Sequence, residues 1–227
     1  MRYVVLAGGA GIDRDRIAPQ ISGADHILCA DEGAVHARKM GVIPDRIVGD
    51  MDSIDSQTLE WARKHHIPTE VFPEEKDLTD SELCFAQVPT EGSVLFVLPM
   101  CGRFDHVLSN ILIAARYARE GRDIILTDGR TRIYPVIGPN QLTLDVRREE
   151  EWIGADKLIV SILPILGPAE NIRSSGLHYP IDGFSMAPGI SLGVSNRPAE
   201  GAREFTVTLA SGVLLVIVTS EDYLQSP

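Results

Sequence analysis

The sequence predicts an α/β protein in two parts: a mostly parallel sheet with flanking helices over residues 1–137, then an all-β sandwich over residues 138–227. Three observations carry this. Short apolar runs alternate with helix-length periodic segments through the first part, the pattern of βαβ units. Beyond Gly138-Pro139 the periodic segments stop, and short β-rich runs between Gly and Pro turns take over, the pattern of a sandwich. At 227 residues and 44% hydrophobic, the chain can bury a core without metal or disulfide staples.

Residues 3–7 form an apolar run ending in Gly8-Gly9, read as a buried strand. Residues 13–21 carry a weak helical pattern, and residues 26–30 a second strand. Residues 32–40 read as a helix closed by Gly41, a residue free to turn left-handed at a C-terminus. Residues 56–66 form a helix that Pro68 stops. In residues 79–88, Thr79 and Glu82 have capping-box spacing, with Asp80 the alternative cap. Residues 94–98 are a fully apolar strand, residues 105–119 a long amphipathic helix, and residues 123–127 another strand. In the second part, strands are expected at 141–146, 158–163, 171–174, 191–194, 204–209 and 213–219, with no helix.

The net charge of −11 is spread over both halves. Such a surface opposes nucleic acid, whose phosphates call for Lys and Arg, and opposes an anionic membrane. Cys29, Cys84 and Cys101 are odd in number and widely spaced. They suit neither a disulfide framework nor a zinc site, so a reduced, cytoplasmic setting is expected. The first residues are too Gly-rich for a signal peptide, and no apolar run reaches membrane-spanning length.

Carboxylates recur where predicted strands end and helices begin: Asp31, Asp50 with Asp52, Asp77 with Asp80, and Asp105. Ligands of open α/β sheets bind beyond the carboxyl ends of the strands. Each acid also has an ordinary reading: Asp80 or Asp105 as a helix cap, Asp50 and Asp52 as an Asx-turn, Asp31 as helix-start charge. Four loops delivering Asp to one edge is the stronger pattern. Converging like charges need a cation, and Asp oxygens without His or Cys suit Mg²⁺, whose shell is usually completed by water and substrate phosphates. Lys76 and Arg103 stand beside these acids, as ordinary ion pairs or as phosphate partners. The Gly8, Gly9, Ala10, Gly11 loop lacks a full phosphate-binding fingerprint. His106 sits in a first helical turn, where a histidine is more often structural than a base.

Four stretches in order, Ala30-Asp31-Glu32-Gly33-Ala34, Gly49-Asp50-Met51-Asp52-Ser53, Glu75-Lys76-Asp77-Leu78-Thr79-Asp80 and Gly102-Arg103-Phe104-Asp105-His106 running on to Asn110, resemble the thiamin pyrophosphokinase family. Ser174-Ser175-Gly176-Leu177-His178-Tyr179-Pro180 and Ser195-Asn196 resemble its β-domain motifs. The resemblance implies an ATP- and Mg²⁺-binding catalytic domain at residues 1–137 and a thiamin-binding sandwich at residues 138–227. It implies a homodimer with sites shared between subunits, and transfer of pyrophosphate from ATP to the thiamin hydroxyl, with AMP leaving. Carried over residue by residue, the metal ligands are Asp31, Asp50, Asp52 and Asp80. Asp50, Asp52, Asp80 and Arg103 are the catalytic set, and Asp31, Lys76, Asp77, Arg103 and Asp105 the ATP set. Ser195 and Asn196 match the thiamin side, with Tyr179 the candidate aromatic for its rings. The chain departs from the family pattern at Glu32 and Cys101, where Gly is usual, and at Met51, where Phe is usual. Glu32 keeps open a pyrophosphokinase acting on another heterocyclic alcohol, pterin-like. A non-catalytic nucleotide- or thiamin-binding sensor would have lost metal carboxylates, and none is lost here.

Overall fold

The computed structural model describes residues 1–221 of the chain; the last six residues of the predicted second domain lie outside the described residues. The chain divides into two compact units, residues 1–113 with 121–128, and residues 114–120 with 129 onward.

The first unit alternates strictly, with the end of α5 counted in the second: β1 (Arg2–Leu6), α1 (Arg14–Ile21), β2 (His26–Ala30), α2 (Gly33–Met40), β3 (Arg46–Gly49), α3 (Ser56–Lys64), β4 (Thr69–Val71), α4 (Asp80–Ala86), β5 (Ser93–Val97), α5 (Phe104–Arg119) and β6 (Asp123–Thr127). Its six strands are all parallel, in the order β4-β3-β2-β1-β5-β6. The chain therefore builds outward from β1 to β4, then returns to place β5 on the other side of β1. That reversal is the topological switch point, where such sheets open a crevice for ligands.

Continuous apolar runs make β1 and β5 buried on both faces, as expected of central parallel strands. Val4, Leu6, Cys29, Ile47, Leu95 and Val97 from the strands meet Ile17, Ile21, Ala34, Ala37 and Ala62 from the helices in one core. The short β3 and the three-residue β4 lie outside the expected elements. At α2, Gly41 takes the left-handed conformation and donates its N–H to Ala37 and Arg38 carbonyls, as its sequence position predicts. Thr79, not Asp80, caps α4: its side chain accepts the Glu82 N–H at 3.3 Å. Asp80 is thereby left free for other work.

The second unit holds β7 (Thr131–Ile137), β8 (Asn140–Asp145), α6 (Val146–Ile153), β9 (Leu158–Pro164), β10 (Ala169–Ser175), β11 (Asp182–Met186), β12 (Glu204–Leu209) and β13 (Val213–Ser220). Antiparallel pairing gives β7-β13-β9 and β11-β10-β12-β8. Two expectations are corrected here. Residues 191–194 form no strand; they lie in a turn segment in which the Val194 N–H bonds the Ser191 carbonyl. The unit is also not purely β, because α6 interrupts it. Asp145 caps this helix by accepting the Arg148 N–H, and Gly154 closes it in the left-handed conformation. The buried Glu149 of α6 accepts the Tyr134 hydroxyl at 2.7 Å, with Arg132 at 4.0 Å, and so fastens the helix to β7.

Candidate active site

The carboxyl ends of β2 and β3 deliver the acids. Asp31 follows β2 directly, is buried, and takes a left-handed backbone with φ of 43°. Its N–H bonds the Val48 carbonyl and its own carbonyl starts α2 through Ala34. Asp50 follows β3, and Met51 after it is again left-handed, φ 67°. Non-glycine residues seldom adopt this conformation; two of them within one site are backbone strain gathered where side chains must be aimed. Gly49 is required between them. Its φ is 155°, and a Cβ there would stand 2.9 Å from Asp31 Cβ and 3.2 Å from Asp80 Cγ.

One carboxylate oxygen each from Asp31, Asp50 and Asp52 lies within 4.8 Å of the others. Asp50 does two jobs. Its Oδ1 accepts the Asp52 N–H at 3.2 Å, the expected Asx-turn, while its Oδ2 meets Lys76 Nζ at 3.2 Å. Lys76 also reaches Asp80 Oδ1 at 3.2 Å and the Pro73 carbonyl at 3.2 Å. One ammonium thus ties Asp80 to the cluster. Ser53 Oγ donates to Asp52 Oδ1 at 2.7 Å and orients it; this serine of the Gly49–Ser53 motif had no role in the sequence reading.

Four carboxylates and one lysine leave the cluster strongly negative. Burial, and then the charges of Asp80 and Asp50, push the Asp31 carboxyl up to about 6. Burial likewise raises Asp80, against the pull of Lys76. The Asp52 N–H, outweighing burial and aided by Lys76, holds Asp50 below its usual range. For Lys76, burial alone would lower the pKa, but hydrogen bonds to Asp80 and Asp50 raise it.

A divalent cation fits this donor set. Asp31 Oδ1 is buried with no hydrogen-bond partner, a costly state that a cation relieves. The donors are all carboxylate oxygens, with no His or Cys among them, which suits Mg²⁺.

The remaining expected residues are placed differently. Asp77 is exposed on the loop before α4. Arg103 and Asp105 bind each other on the surface, at 2.7 Å and 3.3 Å. The Arg103 hydrogen bond takes the Asp105 carboxyl down to about 2. In the second unit Asn196 is buried and its amide is engaged: Oδ1 accepts the N–H groups of Tyr179 and Arg197, and Nδ2 donates to the Tyr179 carbonyl at 2.7 Å. Asn196 therefore fixes the Tyr179 backbone. The Tyr179 ring itself is 61% exposed, with the His178 ring edge-on at 4.5 Å and the Arg197 guanidinium 6.0 Å from its centre. Ser195 is left-handed, φ 57°, and donates its N–H to Ser161 Oγ at 3.1 Å.

Residues 18–126 match the family model "Thiamin pyrophosphokinase, catalytic domain", and residues 141–214 match "Thiamin pyrophosphokinase, vitamin B1 binding domain". The chain belongs to the thiamin pyrophosphokinase family. It is 25% identical over 223 residues to a thiamine pyrophosphokinase of Bacillus subtilis, covering 96% of this chain and 98% of that one. To thiamine pyrophosphokinase 1 of Oryza sativa it is 26% identical over 168 residues, and it spans 60% of that protein's length. In fold it resembles thiamin pyrophosphokinases of Geobacillus thermodenitrificans (TM-score 0.79, 22% identity, covering 97% of this chain and 98% of that one) and Candida albicans (TM-score 0.74, 15% identity, 96% and 90%). Across the thiamin pyrophosphokinase match, the catalytic-domain model spans every acid of the cluster and the B1-binding model spans Tyr179, Ser195 and Asn196.

Proposed function

We propose that this chain catalyses ATP-dependent formation of thiamin diphosphate by direct transfer of pyrophosphate. The observation that carries the reading is the Asp31, Asp50, Asp52 cluster, tied by Lys76 to Asp80, within the span of the catalytic-domain match. Residues 1–137 would hold ATP and Mg²⁺, residues 138–227 thiamin. Asp31, Asp50, Asp52 and Asp80 would be the metal ligands; Mg²⁺ bound there offsets and aligns the triphosphate charge. Lys76 keeps Asp50 and Asp80 in position and supplies positive charge beside them. Arg103, exposed at the end of the β5 loop, is free to exchange its Asp105 partner for a phosphate, a geometry that suits its forked donors. Thiamin is held on the second unit around Tyr179, whose exposed ring offers a stacking face for a cationic heterocycle.

The reaction is balanced by one new bond, from the thiamin hydroxyl oxygen to the β-phosphorus. The bond from that phosphorus to the oxygen bridging the α-phosphate breaks. AMP leaves with that oxygen, and the hydroxyl proton passes to water. Two successive phosphoryl transfers would instead release ADP and pass through thiamin monophosphate. In a single-turnover reaction with ATP, Mg²⁺ and thiamin, chromatography should show AMP and thiamin diphosphate rising together. Accumulation of ADP or of the monophosphate rejects the one-step route.

The working form is proposed to be a homodimer with each site shared between subunits in a cytoplasmic setting. No helix among the described residues is long and apolar enough to cross a membrane. The second unit exposes Phe184, Leu192 and Val194, apolar area suited to a partner. Asp50→Asn and Asn196→Ala should each inactivate, and mixing them with subunit exchange should recover about a quarter of wild-type activity. Half the reassorted dimers are mixed, and each mixed dimer keeps one intact site of two. No recovery despite demonstrated exchange would place both residues in one chain's site.

A further inference from the structure

The loop that follows β1, Gly8, Gly9, Ala10 and Gly11, lies at the switch point between β1 and β5. Gly9 and Gly11 have φ of 109° and 94°. The loop is held from two sides. From α2, the buried His36 places Nε2 2.8 Å from the Gly9 carbonyl oxygen. From the loop after β5, the Cys101 thiol donates to the Ala10 carbonyl oxygen at 3.5 Å. A carbonyl only accepts, so His36 Nε2 carries the proton. Burial lowers the His36 pKa.

These two contacts fix where the amides point. The only cis peptide bond among the described residues is Gly138-Pro139, so the peptides joining Gly9 to Ala10 and Ala10 to Gly11 are trans. In a trans peptide the N–H points opposite to the C=O. With the Gly9 carbonyl turned in toward buried His36, the Ala10 N–H is turned away from α2. With the Ala10 carbonyl turned to Cys101, the Gly11 N–H is turned away from that thiol. Ala10 and Gly11 are exposed, and neither N–H has a hydrogen-bond partner among the described residues. Successive backbone N–H groups left without an internal partner are the donors from which anion-binding loops are built.

We propose that the Ala10 and Gly11 amides cradle a polyphosphate, and that His36 and Cys101 are the positioning residues that aim them. This rests on the nucleotide reading of the site given above and adds to it the part of the ligand this loop holds. Glu32 selects what can sit here. Its side chain lies over Gly8, where a Cβ would come within 2.9 Å of Glu32 Oε2, and it directly follows Asp31 of the carboxylate cluster. A bare phosphate meets those negative charges unscreened, whereas a divalent cation carried by a polyphosphate offsets part of the repulsion.

The test is a titration of ¹⁵N-labelled wild-type protein with magnesium tripolyphosphate. The Ala10 and Gly11 amide protons should move downfield and saturate together, while those of Gly23 and Gly201, also at positive φ, stay put. His36→Ala should raise the tripolyphosphate dissociation constant and the KM for ATP about ten-fold, the scale of one well-aimed hydrogen bond to a charged group. The KM for thiamin should be unchanged. His36→Gln, whose amide still donates to Gly9, should restore most of the loss, and Cys101→Ala should weaken binding in the same direction. Saturation with no shift at Ala10 and Gly11, or a folded His36→Ala protein that binds like wild type, overturns the proposal. If the shifts appear but thiamin and ATP give no thiamin diphosphate, the cradle stands and the functional reading falls.

Discussion

Asp52→Asn is expected to give a folded protein whose turnover is lower by about 10²-fold or more, which corresponds to roughly 2.7 kcal/mol of lost transition-state stabilisation. The substitution swaps a charged oxygen for a neutral amide at a carboxylate whose nearest acidic partners lie within 4.8 Å. It leaves the local backbone untouched, because the Asx-turn is made by the Asp52 N–H and Asp50 Oδ1. Asp52 is exposed and accepts a hydrogen bond from Ser53 Oγ, so little packing is at stake. Loss of one ligand of the proposed metal, whose charge stabilisation is worth several kcal/mol, accounts for a loss of that size. Steady-state turnover beside a melting curve decides it. Near-normal turnover with an unchanged melting temperature removes Asp52 from the site.

Asp31 and Asp80 were legible because one stands just after an apolar strand and the other at a helix start, and Asp50 and Asp52 because of the Gly49 to Ser53 motif that holds them. Lys76 was legible as a neighbour, but not as the bridge between Asp50 and Asp80, because those contacts join loops that sequence spacing does not connect. His36 and Cys101 left no readable signal at all. They act on backbone carbonyls 27 and 91 positions away, and no periodicity records such a contact. Among the elements, β3 was missed because its four residues run straight into the Gly49 to Ser53 motif and read as loop. The three-residue β4 lies between Pro68 and Pro73, which read as breakers. The helix α6 was missed because Val146 to Ile153 is mostly charged and only Glu149 and Ile153 are buried. Its caps, Asp145 and Gly154, were in view and were the signals to weigh. Residues 191–194 fail as a strand for the converse reason. Their apolar side chains Leu192 and Val194 are exposed, so alternation there had no buried face behind it.

The same electrostatics that suit the cluster to the proposed cation predict that Asp31→Asn stabilises the metal-free protein while abolishing activity. The Asp31 pKa is raised from 3.8 to about 6 in the folded chain, first by burial and then by Asp80 and Asp50. Between those values the folded state keeps a proton that the unfolded state has released, so stability falls as pH rises across the interval. The contribution is full below the unfolded value of 3.8 and is gone above the folded value of about 6. At about 1.4 kcal/mol per unit, ionised Asp31 costs the metal-free fold up to about 3 kcal/mol at pH 8. Asparagine has the same shape, tolerates the left-handed backbone that Asp31 adopts, and carries no charge. In the absence of divalent cations the Asp31→Asn protein should therefore melt well above wild type at pH 8, with the gap closing as the pH falls toward 4. Adding Mg²⁺ should reverse the order by raising the melting temperature of wild type alone, because only a ligand bound to the native state stabilises it. Melting curves at several pH values, with and without Mg²⁺, read both effects. Equal melting at pH 8 without metal would mean that Asp31 is not held in a buried, repelling cluster. Equal response to Mg²⁺ would mean that it does not bind the cation.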